Sequence, residues 1–453
     1  MCKRKMKRIL FSVFASILFL SLQAQDNSPR KLTFKEAVKL GLQNNVLLSQ
    51  QRNQLEYTQV NKTATLLQMG PTINANGDFY RTDGNSFNQN EGRVVNGVID
   101  YIGGSVSANM PVFSGLSFLN QHRAANNANE AQLYQVVRSN EDVIATVSNQ
   151  YLQCLLDKAL IRVNEENLKT QQATFDQIHE QAVQGAKAVA DEYTQEYQLR
   201  NAELLLVRAR NTYKNNLALL AVTLGIDPAS FEVVEINWDI NKAFVDTTSI
   251  ENMRATALDR RSDLKQASYA EKAFRYNFSA AKGRYYPNIY AGLRYGSRYN
   301  YVQGEVNRSF GDQFYTDNTA LNYGFSVTIP IWNAWQYKSQ ASLAKVAYKN
   351  ASIRRQNTEV VVKSDVQRAY QNFNDAKTAF TAAQAGMKAA ELSYQTEKER
   401  YDLGVSNIVQ LATVNQAYIR AQGDFATATF TLMFQPVLLA YYQGTLKFED
   451  IPE

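Results

Sequence analysis

Apolar residues recur every seven positions in two long stretches of the chain. Val147, Cys154, Ile161, Leu168 and Phe175 mark the first; Val366, Phe373, Phe380, Met387 and Tyr394 mark the second, each 219 positions later. A sustained seven-residue period predicts helices that supercoil around neighbours. Neither proline nor glycine interrupts the run from just after Gly115 to about Gln181. The first stretch is therefore expected to be one helix of roughly 67 residues, on the order of 100 Å long. Gly185 and Gly404 close the two stretches, and shorter helical runs follow to about Leu224 and about Tyr442.

Elsewhere the period drops to two, as expected of strands. Ile73, Ala75, Gly77 and Phe79 alternate with Thr72, Asn74, Asn76 and Asp78, and Val106, Ala108 and Met110 read as the returning strand. Ile289, Ala291, Leu293 and Tyr295 repeat the pattern, with Tyr323, Phe325, Val327 and Ile329 returning. Polar loops are expected around residues 82–100 and 300–318. Each strand of roughly ten residues fits a tilted membrane β-strand, but also a soluble hairpin with one wet face. Tyr80, Tyr101, Tyr285, Tyr286 and Tyr299 near the strand ends read as an interfacial girdle. Helices are expected from about Thr33 to Met69 and from Thr248 to about Lys282, each opened by capping-box spacing (Thr33 to Glu36, Thr248 to Glu251) and stopped before Pro71 or Pro287.

These elements form two copies of one pattern. Pro111 and Pro330 end equivalent strands and lie 219 residues apart, as do Gly185 and Gly404. The predicted organisation is a first repeat over 26–225, a linking segment over 226–247 and a second repeat over 248–453. Residues 1–25 read as a signal peptide, with a basic start, an apolar stretch from Ile9 to Leu22 and a small-residue cleavage site at Leu22-Gln23-Ala24.

The net charge of +6 includes five charges of that basic start. The processed chain would be nearly neutral, which excludes the basic footprint of a nucleic-acid binder. Cys154 would be the one remaining cysteine, read as a buried core thiol. His122 and His179 have no partners at metal-ligand or triad spacing. No phosphate-binding loop, nucleophile elbow, zinc-protease or paired-cysteine motif occurs. An enzyme is not expected, and no cofactor or metal is called for.

Four strands cannot close a membrane barrel, and an open sheet edge in a bilayer leaves backbone groups unpaired at several kcal/mol each. Three chains would supply twelve strands, enough for a water-filled lumen. The chain resembles the TolC-like outer membrane factors over essentially its whole processed length. The residues that carry the resemblance are Leu32-Thr33-Phe34-Lys35-Glu36-Ala37-Val38 with Asn44-Asn45, Ala257-Leu258 with Arg261-Ser262-Asp263-Leu264, the two Pro-containing strand ends and the two tip glycines.

The resemblance implies an α+β membrane protein: a homotrimer with a twelve-stranded β-barrel, four strands per chain, continued by a long periplasmic α-helical coiled-coil barrel. It implies an outer-membrane exit channel of a Gram-negative tripartite efflux pump or type I secretion system. Its partners would be outer membrane lipid, a periplasmic adaptor protein, and an inner-membrane transporter of the resistance–nodulation–division or ABC class. Adaptor docking would fall at Gly185, Ala186, Gly404 and Val405. The periplasmic gate would involve Asp191, Glu192, Tyr401, Ser406, Gln410 and Thr413. Tyr401 and Asp191 keep family positions, whereas Ser406 stands for an arginine and Gln410 and Thr413 stand for aspartates. Unless Asp191 and Glu192 supply the charged ring, the chain lacks it, and weaker cation block is expected than in members with both rings. Asp191 and Glu192 can equally be read as compensating a helix N-terminus. The competing reading of the whole chain is a secreted coiled-coil interaction protein without a pore.

Overall fold

A computed structural model describes residues 30–88, 92–236, 244 and 249–451. The proposed signal segment and residues 237–243 and 245–247 of the linking segment lie outside the described residues. The elements in chain order are β1 (Arg30–Leu32), α1 (Phe34–Asn44), α2 (Val46–Leu67), β2 (Thr72–Asn88), β3 (Arg93–Ser114), α3 (Ser117–Val183), α4 (Val189–Leu224), β4 (Phe231–Val233), α5 (Ile250–Arg260), α6 (Ser262–Gly283), β5 (Asn288–Val302), β6 (Ala320–Thr328), α7 (Gln336–Asp402) and α8 (Ile408–Gln443). Helices α3 and α7 each have 67 residues, and α4 and α8 each have 36.

The chain divides into two compact units. One contains the described parts of Met1–Gln50, Arg138–Arg261 and Val362–Glu453; the other contains Gln51–Val137 and Ser262–Val361. Each takes segments from both copies of the repeat.

In the first unit the expected 33–69 helix is broken after Asn44, and its counterpart is broken at Arg261. Both breaks dock on a helix end. The Asn44 amide donates to Leu224 O (3.1 Å) and the Asn45 amide to Thr223 O (3.4 Å), which occupies carbonyls left free at the end of α4. Gly225 follows with φ +65°, and a Cβ there would lie 3.1 Å from the Asn44 Cβ. In the second copy Arg261 is 2 % exposed and donates to Asp365 Oδ2 at 3.0 Å. Gly444, with φ +68°, packs on it, leaving 2.9 Å between an added Cβ and the Arg261 Cα. The capping box at Thr33 and Glu36 is present, each backbone N–H meeting the other side chain at 3.3 Å. In the second copy Ser249 caps α5 by accepting from Asn252 N–H, and the expected Thr248 start lies outside the described residues.

β1 and β4 pair in parallel. The Tyr151 hydroxyl sits between them, 2.8 Å from both Leu32 O and Val234 O. Cys154, one helical turn on, is buried, and burial pushes its thiol up to about 12. The heptad stripe is buried at Val147, Cys154, Val366, Phe373 and Phe380. Toward the helix ends, buried amides join it: Gln195 Nε2 donates to Gln171 Oε1 (2.8 Å) and Gln171 to Asn167 Oδ1 (3.3 Å), while half-buried Asn415 also donates to Asn167 Oδ1 (3.3 Å).

The second unit holds one antiparallel sheet in the order β2-β3-β5-β6. β2 and β3, with 17 and 22 residues, run well beyond the expected ten, pairing in register from Thr72–Asn109 to Asn88–Arg93. Most of the expected 82–100 loop is therefore strand, because the ladder continues through residues with no apolar alternation. The register aligns Phe79 with Ile102 and Tyr299, and Ala75 with Val106, Tyr295 and Leu321. One face is thus an apolar field across all four strands. The opposite face carries Asn74, Asn76, Asp78, Ser105, Ser107, Arg294, Arg298 and Asn322. The tyrosine girdle splits for the same reason. Tyr80 and Tyr101 stack at 4.6 Å, but their alternation places them on the polar face, while Tyr299 lies on the apolar one.

Strand passes to helix through two consecutive left-handed residues in both copies: Gly115 and Leu116 (φ +58° and +63°), and Ala334 and Trp335 (φ +49° and +68°). At Gly115 an added Cβ would meet Gly283 O at 2.0 Å, so glycine is required. Ala334 takes the same conformation without it.

Candidate functional site at the helical tips

The two hairpin tips lie in the first unit and contain every residue proposed for gate and docking. Gly185 turns from α3 to α4 with φ +73°, and Gly404 turns from α7 to α8 with φ +74°. Each glycine N–H binds three residues back, Gly185 to Ala182 O and Gly404 to Tyr401 O. The next N–H reaches five back, Ala186 to Gln181 O (2.8 Å) and Val405 to Arg400 O (2.9 Å). These bonds satisfy the last carbonyls of the long helices through a left-handed residue. Nothing lies within 4 Å of a Cβ added at either glycine. Around the turns Val183, Val189, Leu403, Val405 and Val409 are exposed.

The helices that leave the tips start differently. Asn407 caps α8, its Oδ1 accepting from Gln410 N–H at 2.9 Å. Ala188 precedes α4 with no side-chain cap, and Asp191 and Glu192 occupy its first turn. Their charge meets the positive end of the helix dipole. Glu192 also binds His179 Nδ1 across the turn at 2.7 Å.

Tyr401 is the centre of the second tip. It is 6 % exposed and packs with Ile178, Ile408 and Leu411. Its hydroxyl is buried without a hydrogen bond among the described residues. Burial raises its pKa above the ordinary tyrosine value, with the charges of Asp191 and Asp402 adding to the effect. Lys187 of the first tip sets its ammonium 4.6 Å from the centre of the Tyr401 ring, a cation–π contact between the two tips. Ser406, at the expected arginine position, donates to Glu397 Oε1. Glu397 is 6 % exposed and also accepts from Arg400 Nη1 at 3.2 Å.

The structure therefore brings Asp191 and Tyr401 into one electrostatic neighbourhood. Glu192 joins His179, and Ser406 joins Glu397. Gln410 and Thr413 stand exposed on α8, and the Thr413 hydroxyl binds back to Val409 O at 2.8 Å. The 219-residue offset already sets Lys187 against Ser406 as a difference between the two hairpins. His179 reads in the sequence only as a histidine without metal or triad partners, and Glu397, Arg400 and Asn407 are not singled out there. Among the described residues, no cluster of three or more His, Cys, Asp or Glu could hold a metal.

Residues 254–432 match the family model described as outer membrane efflux protein. The probable efflux pump outer membrane protein TtgC of Pseudomonas putida is 20 % identical over 298 residues, covering 64 % of this chain and 56 % of that protein. The chain resembles the outer membrane efflux proteins. The outer membrane protein TolC of Salmonella enteritidis is likewise 20 % identical over 316 residues, 69 % of this chain and 62 % of that protein. The alignments thus span little more than half the length of these curated relatives. Among solved structures, the Campylobacter jejuni CmeC outer membrane channel superposes with a TM-score of 0.79 at 16 % identity, covering 94 % of this chain and 90 % of that one. A membrane protein from Pseudomonas aeruginosa gives 0.80 at 16 % identity, covering 92 % and 91 %. The fold is the one seen in these outer membrane proteins, α+β with long helices and a small set of strands.

Proposed function

We propose that the chain is an outer-membrane exit channel, passing solutes from an inner-membrane transporter and a periplasmic adaptor protein to the exterior. The observation that carries this is the sheet. Its four strands put an exposed apolar field on one face and a polar field on the other, with β2 and β6 as open edges. Such a sheet suits lipid on one side and water on the other once its edges are closed. No helix among the described residues is long and apolar enough to cross a membrane, so the strands are the elements that would span it.

Three chains would close twelve strands into a barrel, with α3, α4, α7 and α8 forming the periplasmic tube. The pairing of β3 with β5 joins the two repeats within a chain, and the same step taken once more sets β6 against β2 of another copy. Val106 pairs with Tyr295. Moving the first on by 219 residues, and the second back by the 216 that separate Pro71 from Pro287, would set Phe325 opposite Phe79 of the partner subunit. These phenylalanines are 76 % and 67 % exposed in the single chain. Of the residues named as the periplasmic gate, Asp191 lies in the electrostatic neighbourhood of buried Tyr401, and the exposed valines and Leu403 beside Gly185, Ala186, Gly404 and Val405 would offer an apolar surface to the adaptor.

A Phe325→Cys, Phe79→Cys double variant is expected to give a disulfide-linked ladder ending at trimer, whereas Phe325→Cys with Ile73→Cys is not. The protein should be extracted from outer membranes by detergent and conduct in stepwise increments in planar bilayers. Release into buffer without detergent, as monomer, would overturn the channel and favour a secreted coiled-coil protein.

A further inference from the structure

The arginines of the sheet and its connecting turns fall into two sets. Arg81 is held by Asp100 at 2.6 Å, Arg93 by Glu305 at 3.1 Å and Arg308 by Asp317 at 2.6 Å. Arg294 and Arg298 have no carboxylate partner among the described residues; Arg294 Nη2 donates to the Ser105 hydroxyl at 3.2 Å. Both unpaired arginines belong to β5, four residues apart on its polar face, hence about 13 Å apart along the strand. Gly296 lies between them without a side chain, flanked by Ser105 on β3 and Ala320 on β6. The gap is an open pocket of about 360 Å³ whose rim includes Arg294, Arg298, Asp78, Asn318 and Asn322. The Asp78 carboxylate leans over Gly103, where an added Cβ would meet it at 2.6 Å. From Thr72 to Tyr80 and across the paired segments of β3, β5 and β6, the charged residues of this face are Asp78, Arg294 and Arg298. Two positive charges thus face one negative.

We propose that this pocket accepts anions and gives the strand-lined part of the conduit a preference for them. An unpaired guanidinium offers a planar fork of donors that matches phosphate, sulfate and carboxylate groups. Rings of cationic side chains select anions in pores, and a concave wall focuses their field. The ligand class is a small phosphorylated or carboxylated solute in transit. The proposal rests on the pore reading, under which each trimer would carry three such pockets.

The test measures the reversal potential of single channels in a potassium chloride gradient, and the current as pyrophosphate is added from the barrel side. Wild type is expected to favour chloride and to lose current with pyrophosphate. Arg294→Gln with Arg298→Gln leaves Asp78 as the charge on this face, so the chloride-to-potassium permeability ratio should fall by about two-fold or more and pyrophosphate should lose its effect. Asp78→Asn should move the ratio the other way. Channels that conduct normally with an unchanged ratio and equal pyrophosphate response in the double variant would overturn the anion pocket alone. Correctly assembled protein with no conductance at all would instead overturn the pore reading, and the pocket with it.

Discussion

The two helical tips share a backbone and differ in what holds them. Gly185 and Gly404 have nearly identical left-handed φ and equivalent hydrogen bonds. The second tip is then fixed from inside, by buried Tyr401, by Glu397 with Ser406 and Arg400, and by the Asn407 cap. The first tip has no side-chain cap; beyond Ile178, which enters the Tyr401 cluster, it is held by surface charge, through Asp191, Glu192 with His179, and Lys187 reaching over to the Tyr401 ring. One hairpin is thus a rigid post and the other leans on it. The first tip should be the more mobile of the two, since its contacts are the weaker and more solvent-accessible ones.

The sharpest way to break this comparison is to remove the post. Tyr401→Ala should cost about 3 kcal/mol of local stability, as expected for emptying a buried aromatic site. Hydrogen exchange should then quicken at both tips, because the first loses its support as well; faster exchange at the second tip alone would contradict the dependence. Next come the turns. Gly185→Ala and Gly404→Ala should each cost about 1–2 kcal/mol, and equally so, since both pay for a left-handed Cβ with nothing nearby to clash. Unequal costs in the same exchange measurement would mean the backbones are not equivalent. Smaller still, Asn407→Ala should lose about 1 kcal/mol, while Ala188→Asn should gain several tenths at the first tip. Lys187→Gln should cost about 0.5 kcal/mol, accelerating exchange at the first tip and sparing the second.

The last effect concerns pH and should be invisible under ordinary conditions. A phenol raised by burial contributes stability that is complete below the unfolded tyrosine value of about 10 and is lost as pH rises through its higher folded value. Comparing tyrosinate absorbance in wild type and Tyr401→Phe should show the missing phenol titrating above the exposed tyrosines. Titration below them would show that Tyr401 is not buried in solution.

Much of this architecture was legible because helix length and strand alternation are written in residue spacing. The 219-residue offset carries both ends of α3 onto those of α7, and both ends of α4 onto those of α8. What escaped was whatever depends on a partner distant in sequence. Asn45 and Arg261 looked helical because nothing local breaks the chain there; the break is fixed by helix ends at Leu224 and Gln443, far along the chain. No spacing marks Asn167, Gln171 and Gln195 in the sequence, yet they bond to one another inside the first helical hairpin. Tyr80 and Tyr101 looked interfacial because proximity to a strand end is visible in sequence, whereas the face is set by register. At the tips, glycine and the Tyr401 position were readable, but the Lys187 contact needs the two hairpins side by side.

The equal lengths of α3 and α7, and of α4 and α8, carry a consequence for how such a chain can change. One residue inserted into a helix turns everything beyond it by about 100°, which would swing Tyr401 or Ile178 out of the cluster they share. Seven residues are nearly two full turns and restore the facing side within about 20°. The four segments therefore act as a matched ruler. The chain can be lengthened or shortened only in whole steps, made in all four helices together, and a descendant with a longer reach should differ from this one by multiples of seven at each of the four places.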